Sequence, residues 1–237
     1  MTTNENEKAE LSLGQSITKN AIGLAIFAFV TAGVIAIVQQ NTKEQIHDNI
    51  AQAQAKALYE ITPQSLVDND VLNSYIELHS QQSKQHLHVN YLGPIADDSK
   101  LHLAQKNNST HTYIFPVTAP DGYTTAIQLL VGIKQDGSIA GVRVVDHKET
   151  PGLGDKVELK KSDWILSFNG KSLTNPDIEK WKVKKDGGEF DSFTGATITP
   201  RAVINAVKQA LVMYQKDKDV LSTLSTNQPP INRGEAL

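Results

Sequence analysis

The 237-residue chain contains no cysteine. Disulfides, thiolate-held iron–sulfur clusters and thioether-linked haem are therefore excluded within this chain. Any redox role needs an organic cofactor instead. The absence is compatible with a location outside the cytoplasm, where an unpaired thiol is a liability, but many cytosolic domains also lack cysteine.

The chain also lacks an excess of positive charge. It carries 23 lysines and arginines against 26 acidic residues, so nucleic acid is not an expected partner. With 39% hydrophobic residues it can bury one ordinary core. Five histidines of the polar middle stretch show no consistent ligand spacing and are interpreted as solvated loop residues, so no metal site is assigned: His79, His86, His88, His102 and His111.

One long apolar run occupies residues 21–38, without charge and with Thr31 as its only hydroxyl residue. Its length lies at the lower edge of a membrane-spanning helix. A cleaved signal peptide is one alternative, because residues 30–32 form a weak cleavage site, and a buried core helix is another. The run is longer than an ordinary signal core and lacks polar residues at helical spacing. We therefore predict an uncleaved anchor over residues 17–39.

The charges beside this run do not orient it. Lys8 and Lys19 precede it, and Lys43 and Lys56 follow it, so the two sides are balanced. Orientation stays open on these residues alone.

The segments outside the candidate domain are polar. Residues 1–16 and 217–237 have no apolar period and are predicted to be disordered tails. Residues 40–110 are predicted to be helical and then irregular, with a rough helical stripe that Pro63 ends.

Residues 111–216 predict one folded domain. Three β-rich runs, at 112–119, 124–133 and 139–146, are separated by Asp-Gly pairs, which favour hairpins. An amphipathic helix is predicted over residues 155–168, with Trp164 in the core. A final helix is predicted from Pro200 to about Lys216, capped by Thr199. The fold class is therefore α+β: a transmembrane helix, then a domain whose antiparallel sheet is packed by helices.

Residues 191–197 (DSFTGAT) lead into the final helix. Gly195 and Ala196 leave little bulk beside the Thr197 hydroxyl, and unpaired amides at a helix start favour a nearby anion. A polar turn that caps a helix is the ordinary alternative. The pattern resembles the flavinylation signal of extracytoplasmic flavin transferases, in which the last threonine is esterified to the phosphate of FMN.

Two further segments carry candidate site residues. Residues 147–156 (HKETPGLGDK) follow the third run, and their glycines allow a close backbone path that can lie against an aromatic ring. Lys184 and Lys185 precede the threonine motif and lie close in sequence to the proposed phosphate. A tight turn and a solvated turn are the respective alternatives.

Together these segments resemble the G subunit of the Rnf/Rsx electron transport complex of bacterial inner membranes. The resemblance rests on the N-terminal anchor and on four further segments in this order: PDGY with AIQLLVG at 120–132, HKETPGLGDKVEL at 147–159, SDWI at 162–165, and residues 181–208, which contain the threonine motif. Residues 64–111 offer little to match. Thr194 stands where many members have serine, which the signal tolerates. The C subunit of the sodium-pumping quinone reductase is more distantly similar.

The resemblance implies a single-pass inner-membrane protein with residues 1–16 in the cytoplasm and its domain in the periplasm. It implies covalent FMN on Thr197, electron relay coupled to ion movement, and two kinds of partner, namely other subunits and a flavin transferase. No catalytic residue is assigned. The implied site residues are Thr194, Gly195 and Ala196 at the phosphate, Glu149, Thr150, Gly152, Leu153 and Gly154 at the ring, Lys184 near either, and Asp191 for transferase recognition.

Three other functions stay open. The chain could be an assembly scaffold with a structural FMN, a C-type quinone reductase subunit, or a stand-alone flavin reductase. The last lacks a nicotinamide fingerprint, because GLGD at 152–155 has no third glycine.

Overall fold

The computed structural model describes residues 13–226. Residues 1–12 and 227–237, which hold most of the two predicted disordered tails, lie outside this range. Inside it, residues 13–16 and 217–226 are helical, so the predicted tail boundaries at 16 and 217 are wrong.

The first helix, α1, is continuous over Leu13–Ile61. The predicted anchor and the predicted stripe behind it therefore form one helix, which ends just before Pro63. Its segment Gly14–Lys43 contains an 18-residue window with a mean hydropathy of 2.6 and is long and apolar enough to cross a membrane.

The threonine hydroxyls in this segment donate hydrogen bonds to carbonyls one turn earlier in the same helix. Thr31 donates to the carbonyl of Phe27 at 2.9 Å, and Thr42 donates to that of Val38 at 2.7 Å. Back-bonding of this kind removes the need for water or a partner side chain, which suits a helix surrounded by lipid.

A five-stranded antiparallel sheet, in sequential order, follows. Its strands are β1 Tyr75–Glu77, β2 Lys100–Lys106, β3 Ser109–Ala119, β4 Ile127–Lys134 and β5 Ile139–Asp146. The last three confirm the predicted meander. The first two come from the segment predicted to be helical or irregular, so the sheet begins well before residue 111.

The sheet is covered on both faces. On one face α3, Ile198–Thr226, packs against β3 and β4. On the other, Leu58 and Ile61 at the end of α1 share a cluster with Ile114 and Leu130. The main core contains these buried side chains: Phe115, Val117, Leu129, Val131, Val142, Val203, Val207, Leu211 and Tyr214.

The final helix differs from its prediction at both ends. It begins at Ile198, so Thr199 lies in the first turn and Thr197 immediately precedes the helix. It continues past Lys216 because Asp217 is buried and accepts hydrogen bonds from the backbone nitrogen and Nδ1 of His88, at 2.7 and 2.6 Å. A buried polar tether of this kind holds a helix whose sequence looks like a solvated tail.

The predicted amphipathic helix over residues 155–168 is wrong. Two short 3-10 helices occupy this stretch, Gly154–Val157 and Asp163–Phe168, and a short helix α2 occurs earlier at Gln81–His86. The Ser162 hydroxyl accepts the amide hydrogen of Trp164 at 3.1 Å, which starts a new turn and interrupts the helix. Trp164 is nevertheless buried, as predicted.

Candidate functional site

The threonine motif forms a tight turn directly before α3. The Ala196 amide donates to the carbonyl of Phe193 at 3.1 Å. Gly195 occupies φ +81°, a left-handed conformation that only glycine adopts without strain. Thr194 and Gly195 are exposed at the tip of this turn. The turn therefore delivers Thr197 to the start of the helix.

Thr197 is the N-cap residue of α3, directly before its first residue, Ile198. Its carbonyl accepts the amide hydrogen of Arg201 at 3.3 Å, while its half-buried side-chain hydroxyl has no hydrogen-bond partner within residues 13–226. The amides of Ile198 and Thr199 lie in the first turn, where an α-helix offers no carbonyl to pair them. A phosphate on the Thr197 oxygen would meet donors and the positive end of the helix.

Buried aromatic side chains of the core hold the threonine motif in place. Trp164 donates its indole N–H to the carbonyl of Asp191 at 2.8 Å, and its ring lies edge-on to that of Phe193, with centroids 5.0 Å apart. Phe168 and Phe190 stack beneath, with centroids 4.8 Å apart. The backbone of the motif is therefore held by the core, although its polar side chains face outward.

Glu149 ties the glycine loop to α3. It is only 4% exposed, and its Oε1 accepts the amide hydrogen of Thr124 at 3.0 Å. Its Oε2 accepts a short hydrogen bond from the hydroxyl of Thr199. Because both oxygens are engaged inside the protein, these contacts make Glu149 a residue that positions the loop. The contact of Glu149 with the flavin ring stays a prediction.

A histidine extends this hydrogen-bond chain. The Glu149 amide donates to Nδ1 of His147 at 3.0 Å, which leaves Nε2 as the protonated nitrogen, donating to Glu158 at 2.7 Å. One tautomer of His147 is thereby selected, and the start of the loop is held at two points.

The glycine loop and the threonine turn are neighbours. The amides of Leu153 and Gly154 both donate to the carbonyl of Thr150 at 3.1 Å, which closes the loop. A Cβ on Gly195 would lie 3.5 Å from Cδ2 of Leu153, a side chain that is 42% exposed. Thr150 and Gly152 are exposed beside it. The structure therefore brings the two predicted segments together at one surface.

Gly154 lies where there is no room for a side chain. An added Cβ would come within 2.7 Å of Oε2 and 2.9 Å of Cβ of Glu149, and within 2.9 Å of the Thr199 hydroxyl. Packing therefore explains why this position of the loop is glycine, since the absence of a side chain lets the backbone approach the start of α3.

The cationic residue predicted for the cofactor has another partner. Lys184 pairs with the carboxylate of Asp191 at 2.8 Å, and both side chains are exposed. Nearby, Arg201 donates two hydrogen bonds of 2.7 Å to Asp186 and thereby holds the pKa of that carboxyl below its usual range. In the described part of the chain, no group of three or more His, Cys, Asp or Glu residues is placed to hold a metal ion.

Two functional contacts escape prediction from the sequence. The sequence predicts only a capping role for Thr199 and places Thr124 in a strand, yet both bind Glu149. A hydroxyl two residues beyond the motif is the sequence signal that could have indicated the first.

Thr199→Val is expected to destabilise the flavin-free domain by about 1–3 kcal/mol, because it leaves a buried oxygen of Glu149 without a donor. Thr197→Val makes the same chemical change at a hydroxyl without a partner in the described chain and should cost less than about 0.5 kcal/mol. Thermal unfolding followed by tryptophan fluorescence measures both. Equal losses at the two positions would contradict the role given to the Glu149–Thr199 contact.

Comparison with known proteins agrees with this geometry. Residues 122–212 match the family described as FMN-binding domain, and residues 3–61 match the RnfG N-terminal region. The G subunit of the ion-translocating oxidoreductase complex of Pseudoalteromonas atlantica is 42% identical over 213 residues, covering 89% of this chain and 94% of that protein. The corresponding G subunit of Pseudomonas aeruginosa is 43% identical over 207 residues, covering 87% of this chain and 92% of that protein.

The two family matches follow the order of the structure. The first covers α1, and the second covers the glycine loop and the threonine motif of the candidate site. A third relative, the G subunit of Vibrio atlanticus, is 41% identical over 206 residues, which cover 87% of this chain and 94% of that protein. The chain therefore belongs to the family of Rnf complex G subunits, the G subunits of ion-translocating oxidoreductase complexes, and carries their FMN-binding domain.

Proposed function

We propose that the chain carries one FMN esterified through its phosphate to Thr197 and relays electrons within an ion-translocating oxidoreductase complex. The observation that carries this proposal is the half-buried Thr197 hydroxyl at the start of α3, unpartnered within the described chain, inside a domain of the FMN-binding family.

The residues present fit the phosphate. Thr197 supplies the ester oxygen, the Ile198 and Thr199 amides supply donors, and the turn at Thr194 and Gly195 leaves the approach open. Arg201 is committed to Asp186. Compensation of the phosphate charge therefore falls mainly to the start of the helix.

The glycine loop fits a flat aromatic surface. Thr150, Gly152 and Leu153 are exposed next to the turn, and Leu153 supplies apolar area. When bound, FMN supplies one- and two-electron chemistry. The chain's residues hold and orient it, and Glu149 keeps the loop in place through Thr199 and Thr124.

Attachment needs a donor in which the FMN phosphate is already activated. The Thr197 oxygen forms a bond to phosphorus while the phosphoanhydride bond of the donor breaks, and the departing phosphate group leaves with the hydroxyl proton. We propose that a flavin transferase carries out this step and reads Asp191, whose exposed carboxylate it must share with Lys184. A covalent ester also prevents loss of the cofactor outside the cytoplasm.

The anchor and the partners follow from the same proposal. The segment Gly14–Lys43 of α1 holds the chain in the inner membrane, with the domain in the periplasm. The relatives are named as subunits of ion-translocating oxidoreductase complexes. We therefore assign this chain partners that deliver and accept its electrons and couple the transfer to ion movement.

Intact mass after coexpression with a flavin transferase tests the attachment. The expected product is heavier than the chain by one FMN less one water. An unmodified chain under these conditions would refute the covalent linkage.

Redox titration of the assembled complex, combined with turnover, separates a carrier from a scaffold. A carrier must cycle reversibly and be reduced and reoxidised by its neighbours during turnover, while a structural FMN would keep one redox state during turnover. A stand-alone nicotinamide reductase finds no support, since the described sheet is antiparallel throughout and lacks the parallel strand–helix unit of a dinucleotide site.

The absence of cysteine makes the orientation directly testable. Lys185→Cys creates a unique thiol at an exposed site of the domain. We expect a membrane-impermeant maleimide to label it in intact spheroplasts and to label Lys8→Cys only after lysis. The reverse pattern would place the domain in the cytoplasm.

A further inference from the structure

Asp155 is a buried carboxylate in the glycine loop that takes no part in the contacts of Glu149. It is 7% exposed and lies directly after Gly154, in the 3-10 turn Gly154–Val157. Its Oδ1 is buried without any hydrogen-bond partner in the described chain. Its Oδ2 lies 3.8 Å from Nζ of Lys161, which is too far for a hydrogen bond.

An orphaned carboxylate oxygen of this kind is unfavourable. Buried polar atoms are almost always hydrogen-bonded, and leaving an acceptor without a donor costs its full desolvation. Lys161 compensates only in part, because its side chain is 54% exposed and therefore well hydrated. The missing donor must come from outside the described side chains.

The position of Asp155 narrows the choice of donor. A Cβ on the preceding residue, Gly154, would lie 2.9 Å from the Thr199 hydroxyl. Thr199 is two residues from Thr197 and belongs to the same helix start. Starting from a phosphate on Thr197, the first hydrogen-bond donors along FMN are the hydroxyl groups of its ribityl chain. The isoalloxazine ring comes only after them.

We propose that Oδ1 of Asp155 accepts a hydrogen bond from a ribityl hydroxyl of FMN. This inference rests on the proposed attachment at Thr197. It assigns Asp155 to the cofactor site and explains why the loop places a carboxylate, and not an apolar residue, next to its closest approach to α3.

The test compares flavinylated chains with flavin-free chains in a Thr197→Ala background. Full-length proteins in detergent are used, and unfolding is followed through Trp164 and Trp181, the only two tryptophans and both in the domain. We expect FMN to raise the melting temperature of the parent. Asp155→Leu, which removes every acceptor, should lower that gain by about 4 °C or more, and Asp155→Asn should lower it by less.

The flavin-free variants provide the second readout. Without FMN, Asp155→Asn should be at least as stable as its parent, because it removes a buried charge that Lys161 compensates only in part. Lys161→Met is the matched control, since it removes the cation that faces Asp155 and should leave the flavin-induced gain unchanged. Equal losses in flavinylated and flavin-free protein would assign Asp155 to a bound water or to Lys161 and overturn the proposal.

Two other outcomes are also decisive. A shift of the flavin absorption bands in Asp155→Asn would place the contact on the ring and overturn the ribityl assignment.

If the parent takes up no covalent flavin, the attachment at Thr197 fails separately. In that case, titration of the flavin-free protein with FMN tests the contact at Asp155. The same titration serves any folded variant that is not flavinylated. Binding about tenfold weaker in Asp155→Leu supports the contact, and equal binding refutes it.

Discussion

Thr197→Ala is expected to abolish covalent FMN completely, because the substitution removes the oxygen proposed to form the ester. The fold should survive, since the Thr197 hydroxyl has no hydrogen-bond partner in the described chain and lies only half-buried. Its melting temperature should therefore stay within about 2 °C of the flavin-free parent. Intact mass and flavin fluorescence in a denaturing gel measure the loss.

Thr197→Ser and Thr194→Ala are the matched controls for this loss. The first keeps a hydroxyl at the attachment position and should retain part of the flavin. The second removes an exposed hydroxyl at the tip of the turn, where no ester is proposed. Flavin fluorescence that persists in Thr197→Ala would move the attachment to another residue.

Gly154→Ala is expected to cost about 2–3 kcal/mol of unfolding free energy, because the new Cβ would meet side-chain atoms at 2.7–2.9 Å. The atoms it meets belong to Glu149 and Thr199, so the clash would force apart the contact that holds the loop against α3. We expect a lower melting temperature, by roughly 4–10 °C, together with reduced flavinylation.

Gly152→Ala separates crowding from backbone strain. A Cβ there would meet nothing within 4 Å, although the residue has φ +78°. It should cost only about 1 kcal/mol and leave flavinylation largely intact. A Gly154→Ala protein as stable as this control would mean that the loop can shift without loss.

Local chemistry explains which parts of the fold were predictable. The Asp-Gly turn at Asp136 and Gly137 joins β4 to β5 through short contacts, since Ser138 donates to Asp136 at 2.8 Å. Strands β1 and β2 escape prediction for different reasons, the first because it has only three residues. In β2 four consecutive residues are buried, so the alternation that identifies a half-exposed strand is absent.

The site was predictable as two segments but not as one constellation. The motif at 191–197 and the loop at 147–156 each carry a local pattern. What joins them is a hydrogen bond between residues fifty positions apart, Glu149 and Thr199, which no local pattern encodes. The ion pair between Lys184 and Asp191 was not predicted either, because the position of Lys184 close to Thr197 in the sequence suggested the cofactor as its partner.

The late position of α3 in the chain has a consequence for the timing of maturation. The sheet is built from sequential neighbours, so it can form as soon as residues 75–146 are available. Thr197 acquires its surroundings only when α3 docks and Thr199 reaches Glu149. With the orientation proposed above, a chain still crossing the membrane has no acceptor site. The proposed attachment of flavin should then follow translocation and folding, so that bound flavin marks chains whose domain is complete.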